Sequence, residues 1–314
     1  MAYTYLFGPV PSRRLGMSLG VDLVPRKVCT LDCVYCEVGR TTTLTSERKE
    51  YIPAAAIIEE LSRFFAANTI VIDHITITGS GEPTLNSALG DVVRYIKHNI
   101  KDIPLAVLTN GTLLYDKNVR DALLAADVVL PSLDAATATG FARINRHQRS
   151  LTVDRYIAGL VAFRQEYRGK IWLEVFILPG YNDSDAELQA LRRAILKFQP
   201  DSVQLNTLDR PGAVAGLRGA TQMELERIAA VLDLEGVEII AAAPDIGGAP
   251  SCRKEAESVL LEMIARRPCT LDDLVTTLGM PAPAIHKIVA ALATAEKIEA
   301  VQLERGLFYQ LKNK

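Results

Sequence analysis

The chain has 314 residues, 49% hydrophobic and 23% charged, with a formal net charge of −2. That balance predicts a globular, soluble protein and argues against a non-specific nucleic-acid coat protein. No apolar run is long enough to span a membrane, the first residues lack the charged start and long apolar core of a secretory signal, and five cysteines, three of them clustered, do not make a disulfide framework. A reducing cytoplasm is the expected location.

The length suits one large domain and a small one. Residues 7–25 are rich in Gly and Pro and end in a strand-like run at 18–24. A loop with Cys29, Cys33 and Cys36 follows, then a helix over 53–67 with Ile57, Ile58, Leu61, Phe64 and Phe65 at helical spacing. A β-branched strand at 71–78 runs into Gly79-Ser80-Gly81-Glu82-Pro83-Thr84, and a helix covers 85–99. The alternation repeats: strand 105–109, turn Asn110-Gly111, helix 117–126; strand 127–133, a polar loop, helix 152–167; strand 170–178, helix 185–198; strand 202–208, a helix from Thr221; a last short strand at 237–241. Ser184 with Glu187, and Thr221 with Glu224, predict capping boxes.

Strands alternating with helices mean βαβ units and a parallel sheet. Six such units, each with polar motifs just after its strand, suggest an α/β fold with a partial (β/α)6 TIM-like barrel. A doubly wound open sheet would show the same alternation. In a parallel barrel the loops after the strands build the active site, which would gather the cysteine loop, 79–84, Asn110, Ser132, Asp134, Asn182 and Asn206 at one mouth. Gly and Pro then break both periodicities, so the boundaries fall at 1–245 for the barrel, 246–252 for a linker and 253–314 for a small domain. Helix 254–265, short helix 270–279, helix 281–295 and a hairpin around Arg305-Gly306 form a winged helix-turn-helix pattern.

The cysteine spacing is C-x3-C-x2-C, with no fourth Cys or nearby His. A tetrahedral zinc site usually takes four ligands, and four thiolates are also the normal complement of an iron–sulfur cubane. Three thiolates suggest a [4Fe–4S] cluster with one iron left open; three packed cysteines or a partial zinc knuckle is the plainer alternative. The spacing, with Tyr35 just before the last cysteine, resembles the radical S-adenosylmethionine superfamily. The resemblance implies that the open iron binds the amino and carboxylate groups of S-adenosylmethionine. One electron then cleaves the sulfonium, and the resulting 5′-deoxyadenosyl radical takes a hydrogen from the substrate.

The segment Gly79-Ser80-Gly81-Glu82-Pro83 resembles the family's Gly-rich motif for the methionine part of the cofactor, with Gly79 and Gly81 allowing close backbone approach and Glu82 pairing with the ammonium. Asn110, Ser132 and Asp134 fall where the family contacts the ribose and the methionine carboxylate, although Asn and Asp also favour turns for local reasons. Arg143 is the first choice for a carboxylate contact, within an acid-free tract that also holds Arg146, His147 and Arg149. With Tyr35, these complete the expected cofactor-binding set. Arg13, Arg14, Arg26, Lys27, Arg40 and Arg210 predict positive charge at the mouth, and Asn182, Asn206 and Arg210 are candidate substrate contacts. Cys252, after a Gly-Gly linker, is a candidate catalytic residue, whereas Cys269 is expected to pack at the start of a helical segment.

Residues 8–16, the cysteine loop and 205–211 resemble a branch related to wyosine-type tRNA-modifying iron–sulfur oxidoreductases, and the likeness covers about residues 7–245. Those enzymes carry a second, upstream cysteine triplet; no cysteine precedes Cys29, so their ring-forming reaction is not carried over. The expected activity is radical chemistry on an RNA nucleoside. The alternatives are modification of a protein or peptide docked by the winged helix, and an iron–sulfur-sensing DNA-binding regulator. Residues 253–314 hold 9 Lys+Arg and 8 Asp+Glu, a net of +1, and offer mainly His286 and Lys287 to a groove, which argues against sequence-specific DNA. The expected partners are a macromolecular or anionic substrate, RNA or protein, and an electron donor such as flavodoxin or ferredoxin, with no membrane.

Overall fold

The strands at the centre of the chain alternate strictly between two environments, and that alternation sets the architecture. In the computed structural model the described residues are 3–240, except 69, and 257–312, except 258, 259, 262, 266 and 304. Cys252 and the expected linker lie outside them. One eight-stranded sheet has the order β1 (Leu6–Ser12), β2 (Gly16–Asp22), β5 (His74–Thr78), β6 (Leu105–Thr109), β7 (Val128–Pro131), β8 (Lys170–Ile177), β9 (Ser202–Thr207), β10 (Val237–Ile239). The short strands β3 (Val28–Cys29) and β4 (Thr43–Leu44) pair within the cysteine loop. Only β1 and β2 are antiparallel; every other neighbouring pair in the large sheet is parallel. This is the expected partial (β/α)6 barrel.

One face of the sheet carries Leu19, Val21, Ile75, Ile77, Val107, Val129, Leu173, Val175, Val203 and Leu205, all buried in the main core. Each such aliphatic side chain contributes about 1.5–3 kcal/mol on burial. The covering layer is α1 (Ala54–Ala67), α2 (Leu89–Asn99), α3 (Lys117–Leu123), α5 (Val153–Glu166), α6 (Asp185–Phe198) and α7 (Gln222–Leu232), with the single turn α4 (Ala138–Gly140) running into a π-helical turn, Phe141–Asn145. The registers put Ser18, Thr76, Leu108, Leu130, Glu174, Gln204 and Asn206 on the other face, so the lumen is partly polar.

Some expectations needed correction. Strand β1 was not anticipated, because Pro9 and Pro11 lack amide donors; at a sheet edge, with a register irregularity between Phe7 and Val10, they are tolerated. The second strand starts at His74, since Val71 is 79% exposed and gains nothing from its branching. Thr221 and Glu224 form the predicted capping box, but Ser184 and Glu187 do not. Ser184 caps α6, while the Glu187 carboxylate accepts from the Ala136 and Thr137 amides and pins the loop before α4.

The small C-terminal domain has a three-stranded antiparallel sheet, β11 (Cys269–Thr270), β13 (Gly306–Leu311) and β12 (Ile298–Leu303) in that spatial order, with α8 (Leu271–Leu278) and α9 (Ala282–Thr294). Its own core includes Leu260, Leu274, Ile285, Val289 and Leu292. Cys269 is buried in β11 and so does not begin a helix. Charged contacts join this domain to the barrel: Arg210 donates to the Pro268 carbonyl (2.5 Å) and to Asp273 (2.7 Å), and Arg305 to Asp273 (2.7 Å) and Asp209. Among the described residues no helix is long and apolar enough to cross a membrane.

Candidate active site

The three cysteines lie on the loop between β2 and α1, and the surrounding turns hold that loop by its backbone. Lys27 adopts φ 60°, its amide donates to the Ser80 carbonyl (2.7 Å), and its own carbonyl accepts from the Thr42 and Thr43 amides. The amides of Asp32 and Val34 donate to the carbonyls of Asn145 and Ile144, both at 3.0 Å, so the π-helical turn grips the segment around Cys33. Gly79 has φ 154°, and a Cβ there would meet Asp22 Oδ1 at 2.2 Å; one on Gly81 would meet the Val28 carbonyl oxygen at 2.2 Å. Only glycine lets this turn pack onto the end of β2 and the cysteine strand.

Each sulfur meets its own nitrogen donor. Asn110 Nδ2 lies 3.6 Å from Cys29 Sγ, Asn145 Nδ2 lies 3.3 Å from Cys33 Sγ, and the buried Lys27 ammonium lies 3.1 Å from Cys36 Sγ. Asn145 Nδ2 also donates to Asp134 Oδ2 at 2.7 Å. This fixes its amide, since the opposite orientation would set oxygen against a carboxylate. Asn145 Oδ1 is left as the one buried side-chain polar atom without a partner among the described residues. Asp134 accepts further from the Tyr35 hydroxyl and the Phe176 amide, and the Tyr35 ring stacks on Phe176 with centroids 3.8 Å apart. Burial outweighs these hydrogen bonds and pushes the Asp134 carboxyl up to about 6.

Behind Asn110 sits Glu82, only 2% exposed. Its Oε1 accepts from the Thr84 amide, the Thr84 hydroxyl and the Thr109 hydroxyl, while Oε2 accepts from the Asn110 amide (2.7 Å) and keeps one acceptor direction for a ligand. The Tyr156 hydroxyl donates to the Asn110 and Ser132 carbonyls. The Ser132 side-chain hydroxyl has no partner among the described residues.

Other expected residues stand elsewhere. Arg143 is exposed, with its guanidinium 4.9 Å over the Tyr181 ring. Asn182 is wholly buried: its oxygen accepts from the Leu178 amide and its nitrogen donates to the Asp134 and Phe176 carbonyls, so it shapes its loop. Asn206 faces the lumen, 3.4 Å from Glu174. Arg210 is held by Glu37 (3.7 Å) and the small domain, which leaves it unavailable as a substrate contact. Of the positive charges expected at the mouth, Arg14 is ion-paired with Glu174 and Arg210 with Glu37 and Asp273, while the Lys27 ammonium donates to Cys36 Sγ. His147 stacks on Phe141. Asn145 and Tyr156 were missed, since one buried Asn or Tyr carries no signal in a sequence.

The thiols need a positive centre. Each cysteine is only partly buried as a residue, yet protein surrounds the thiols closely enough that burial, aided by the Glu82 charge, pushes Cys29 up to about 12; burial, then Asp134, pushes Cys33 up as well. Among the described residues no three His, Cys, Asp or Glu side chains could hold a single metal ion, whereas a cubane takes each thiolate on a different iron. The donor set therefore fits a cluster.

A family model for the Radical SAM superfamily matches residues 23–191, more than half of the chain. The chain belongs to the radical SAM superfamily. A UPF0026 protein of Helicobacter pylori is 33% identical over 269 residues, 85% of this chain and 86% of that protein. A Brachyspira hyodysenteriae protein named GTPase Obg is 33% identical over 294 residues, 93% of this chain. A crystal structure of a radical SAM methyltransferase from Sphaerobacter thermophilus shares the fold, with a TM-score of 0.55 and 20% identity over 71% of this chain. The chain spans 43% of the Brachyspira relative and 64% of the methyltransferase. The radical SAM family uses a [4Fe–4S] cluster and S-adenosylmethionine.

Proposed function

We propose that Cys29, Cys33 and Cys36 hold the [4Fe–4S] cluster, that S-adenosylmethionine completes the remaining iron, and that the barrel lumen receives an anionic substrate, an RNA nucleoside first among the classes considered. The observation that carries this reading is the set of three side-chain N–H donors, one to each sulfur, from three separate segments. When bound, the two cofactors together supply one-electron cleavage of the sulfonium and hydrogen abstraction from the substrate.

The chain's own residues then have distinct tasks. Lys27, Asn110 and Asn145 stabilise the thiolates, because N–H donors and a nearby cation favour the charged sulfur. Tyr35 and Asp134 hold the loop in place. Glu82 offers its remaining acceptor direction to the cofactor's ammonium, Gly79 and Gly81 allow the close approach, and the Ser132 hydroxyl is a donor for the ribose.

The wyosine-type branch is supported by the position of its two local motifs: Arg14 enters the lumen, and residues 205–211 leave β9 at its rim. The order α8, α9 and the β12–β13 hairpin supports a winged helix within 253–314, after a barrel over 1–245 and a linker at 246–252. A cytoplasmic flavodoxin or ferredoxin is the proposed electron donor. Modification of a protein or peptide is the second reading, favoured by the near-neutral balance of residues 253–314.

Anaerobic reconstitution followed by iron and sulfide analysis, and dithionite-driven formation of 5′-deoxyadenosine, test the chemistry. Cys33→Ala should lose both cluster and cleavage; stoichiometric zinc without a cluster, or undiminished cleavage in that variant, would overturn it. Mass spectrometry of digested RNA and of the proteome, from cells with and without the gene, tests the substrate. A missing modified nucleoside supports the first reading; a missing mass shift on one protein replaces it with the second.

A further inference from the structure

The lumen contains a cavity of about 470 Å³, within the range of small-molecule sites. Its walls come from the turn between β1 and β2, the lumen face of β2 and β5, the cysteine loop at Glu37, and the small C-terminal domain. Of the residues assigned to S-adenosylmethionine only Gly79 lines it, so the cavity adjoins the cofactor's place without coinciding with it.

The charges on its wall are unevenly matched. Glu37 pairs with Arg210, Asp209 with Arg305, and Asp273 with both arginines. Asp272 is exposed to solvent. Arg14 is paired with Glu174. Two cations remain: Arg13, from the turn before β2, and Arg267, from the small domain. The side chains of both line the cavity without a hydrogen bond or ion pair to any described residue. Burial pulls the Arg13 pKa down, against the partial support of the Glu37 and Asp209 charges. A guanidinium taken out of water without a partner is costly, and an arriving oxyanion removes that cost. Its planar fork of N–H groups matches the two oxygens of a phosphate or a carboxylate.

We propose that this cavity is the substrate's anion site, where Arg13 and Arg267 receive a phosphate or carboxylate group of one compact substrate unit from the two sides of the domain seam. The assignment rests on the reading that the barrel carries radical chemistry, and it narrows the part of the substrate held there to a unit that fits this half-open chamber.

Isothermal titration calorimetry of the reconstituted 314-residue protein tests it, with guanosine 5′-monophosphate as the phosphate probe and succinate as the carboxylate probe. At least one probe should bind saturably, about tenfold or more weakly in Arg13→Gln and in Arg267→Gln, the loss expected for one charge-assisted hydrogen bond. Arg193→Gln, exposed on α6, should bind as the unaltered protein does. Preference for the nucleotide assigns the oxyanion to a phosphate, and preference for succinate assigns it to a carboxylate. Absence of saturable binding by both probes, or equal binding in both cavity variants, overturns the proposal. S-adenosylmethionine binding should stay unchanged in both variants, which also reports that they fold. Its selective loss in Arg13→Gln would make Arg13 a cofactor contact and likewise overturn the assignment. Failure of the unaltered protein to cleave S-adenosylmethionine would refute the reaction instead, and the anion titrations are judged without it.

Discussion

Arg14 Nη1 lies 2.5 Å from Glu174 Oε2, so the turn before the first parallel strand is ion-paired to the middle of the fifth. The same guanidinium donates to Gln204 on β9 at 3.3 Å. This chord, 160 residues long in sequence, crosses the lumen and ties one side of the open barrel to the other. Both side chains are less than one-fifth exposed. Arg14→Met leaves a mostly buried carboxylate unpaired and should cost about 3–5 kcal/mol, whereas Arg14→Met with Glu174→Leu should cost much less because no ion is left behind. Urea unfolding measures both; equal losses in the single and double variants would refute the chord as an ion pair.

Gly81→Ala should damage the cysteine loop selectively. Its Cβ would meet the Val28 carbonyl oxygen at 2.2 Å, and backbone cannot swing aside as a flexible side chain can. We expect a loss of about 1–3 kcal/mol and substoichiometric iron, with the helical circular dichroism unchanged. Full iron loading would show that the turn yields without disturbing its neighbour.

Lys27→Met and Asn145→Leu should each lower the midpoint potential of the reconstituted cluster. N–H donors to the sulfurs favour the more negative, reduced form, so removing one favours the oxidised form. The lysine effect should be the larger, because it removes a charge as well as a donor 3.1 Å from Cys36. Potentiometric titration followed by electron paramagnetic resonance reads the shift, and an unchanged potential in Lys27→Met would rule out the ammonium as a tuning group.

The seam between the domains should depend on pH in an acidic window. Burial pushes the Asp273 carboxyl up, but the Arg210 charge and hydrogen bond outweigh it and, with the Thr270 amide and Arg305, hold it down at about 2, against an ordinary 3.8. A carboxyl depressed in the folded protein stabilises it above the unfolded value, and that contribution is lost as pH falls through the folded value. Asp273→Asn should therefore be less stable than the unaltered protein by about 2 kcal/mol at neutral pH. The difference should shrink between about pH 4 and about pH 2. A difference that stays constant across that window would mean that Asp273 contributes through packing alone.

The parts of the molecule readable in the sequence are those whose physics is local. Short continuous apolar runs such as Leu105–Thr109 and capped helices such as Gln222–Leu232 stand where patterning puts them. The thiol loop is readable because its three cysteines lie within eight residues. What stayed hidden depends on distant partners. Nothing near Arg14 announces Glu174, and nothing near Asn145 announces Cys33, 112 residues away. Glu187 sits at the third helical position of a capping box yet bonds a loop some 50 residues before it, since amides left open by tertiary packing compete with the local cap. The bonds of Asn182 stayed hidden for the same reason: a loop Asn after a barrel strand reads as a ligand contact, and its three internal bonds show only in the fold.

Arg210 touches Glu37, the residue after Cys36, and also Asp273 and Pro268 of the small domain. The chain is consequently a poor subject for modular dissection. Trimming it to its barrel would strip a guanidinium, only 7% exposed, of two of its three partners and leave it free to pull on Glu37 beside a cluster ligand. A shortened enzyme that lost activity would be reporting a disturbed iron site as much as a missing module. A graft of this small domain onto another barrel would need the matching arginine after β9, and the matching acid behind the third cysteine, to travel with it.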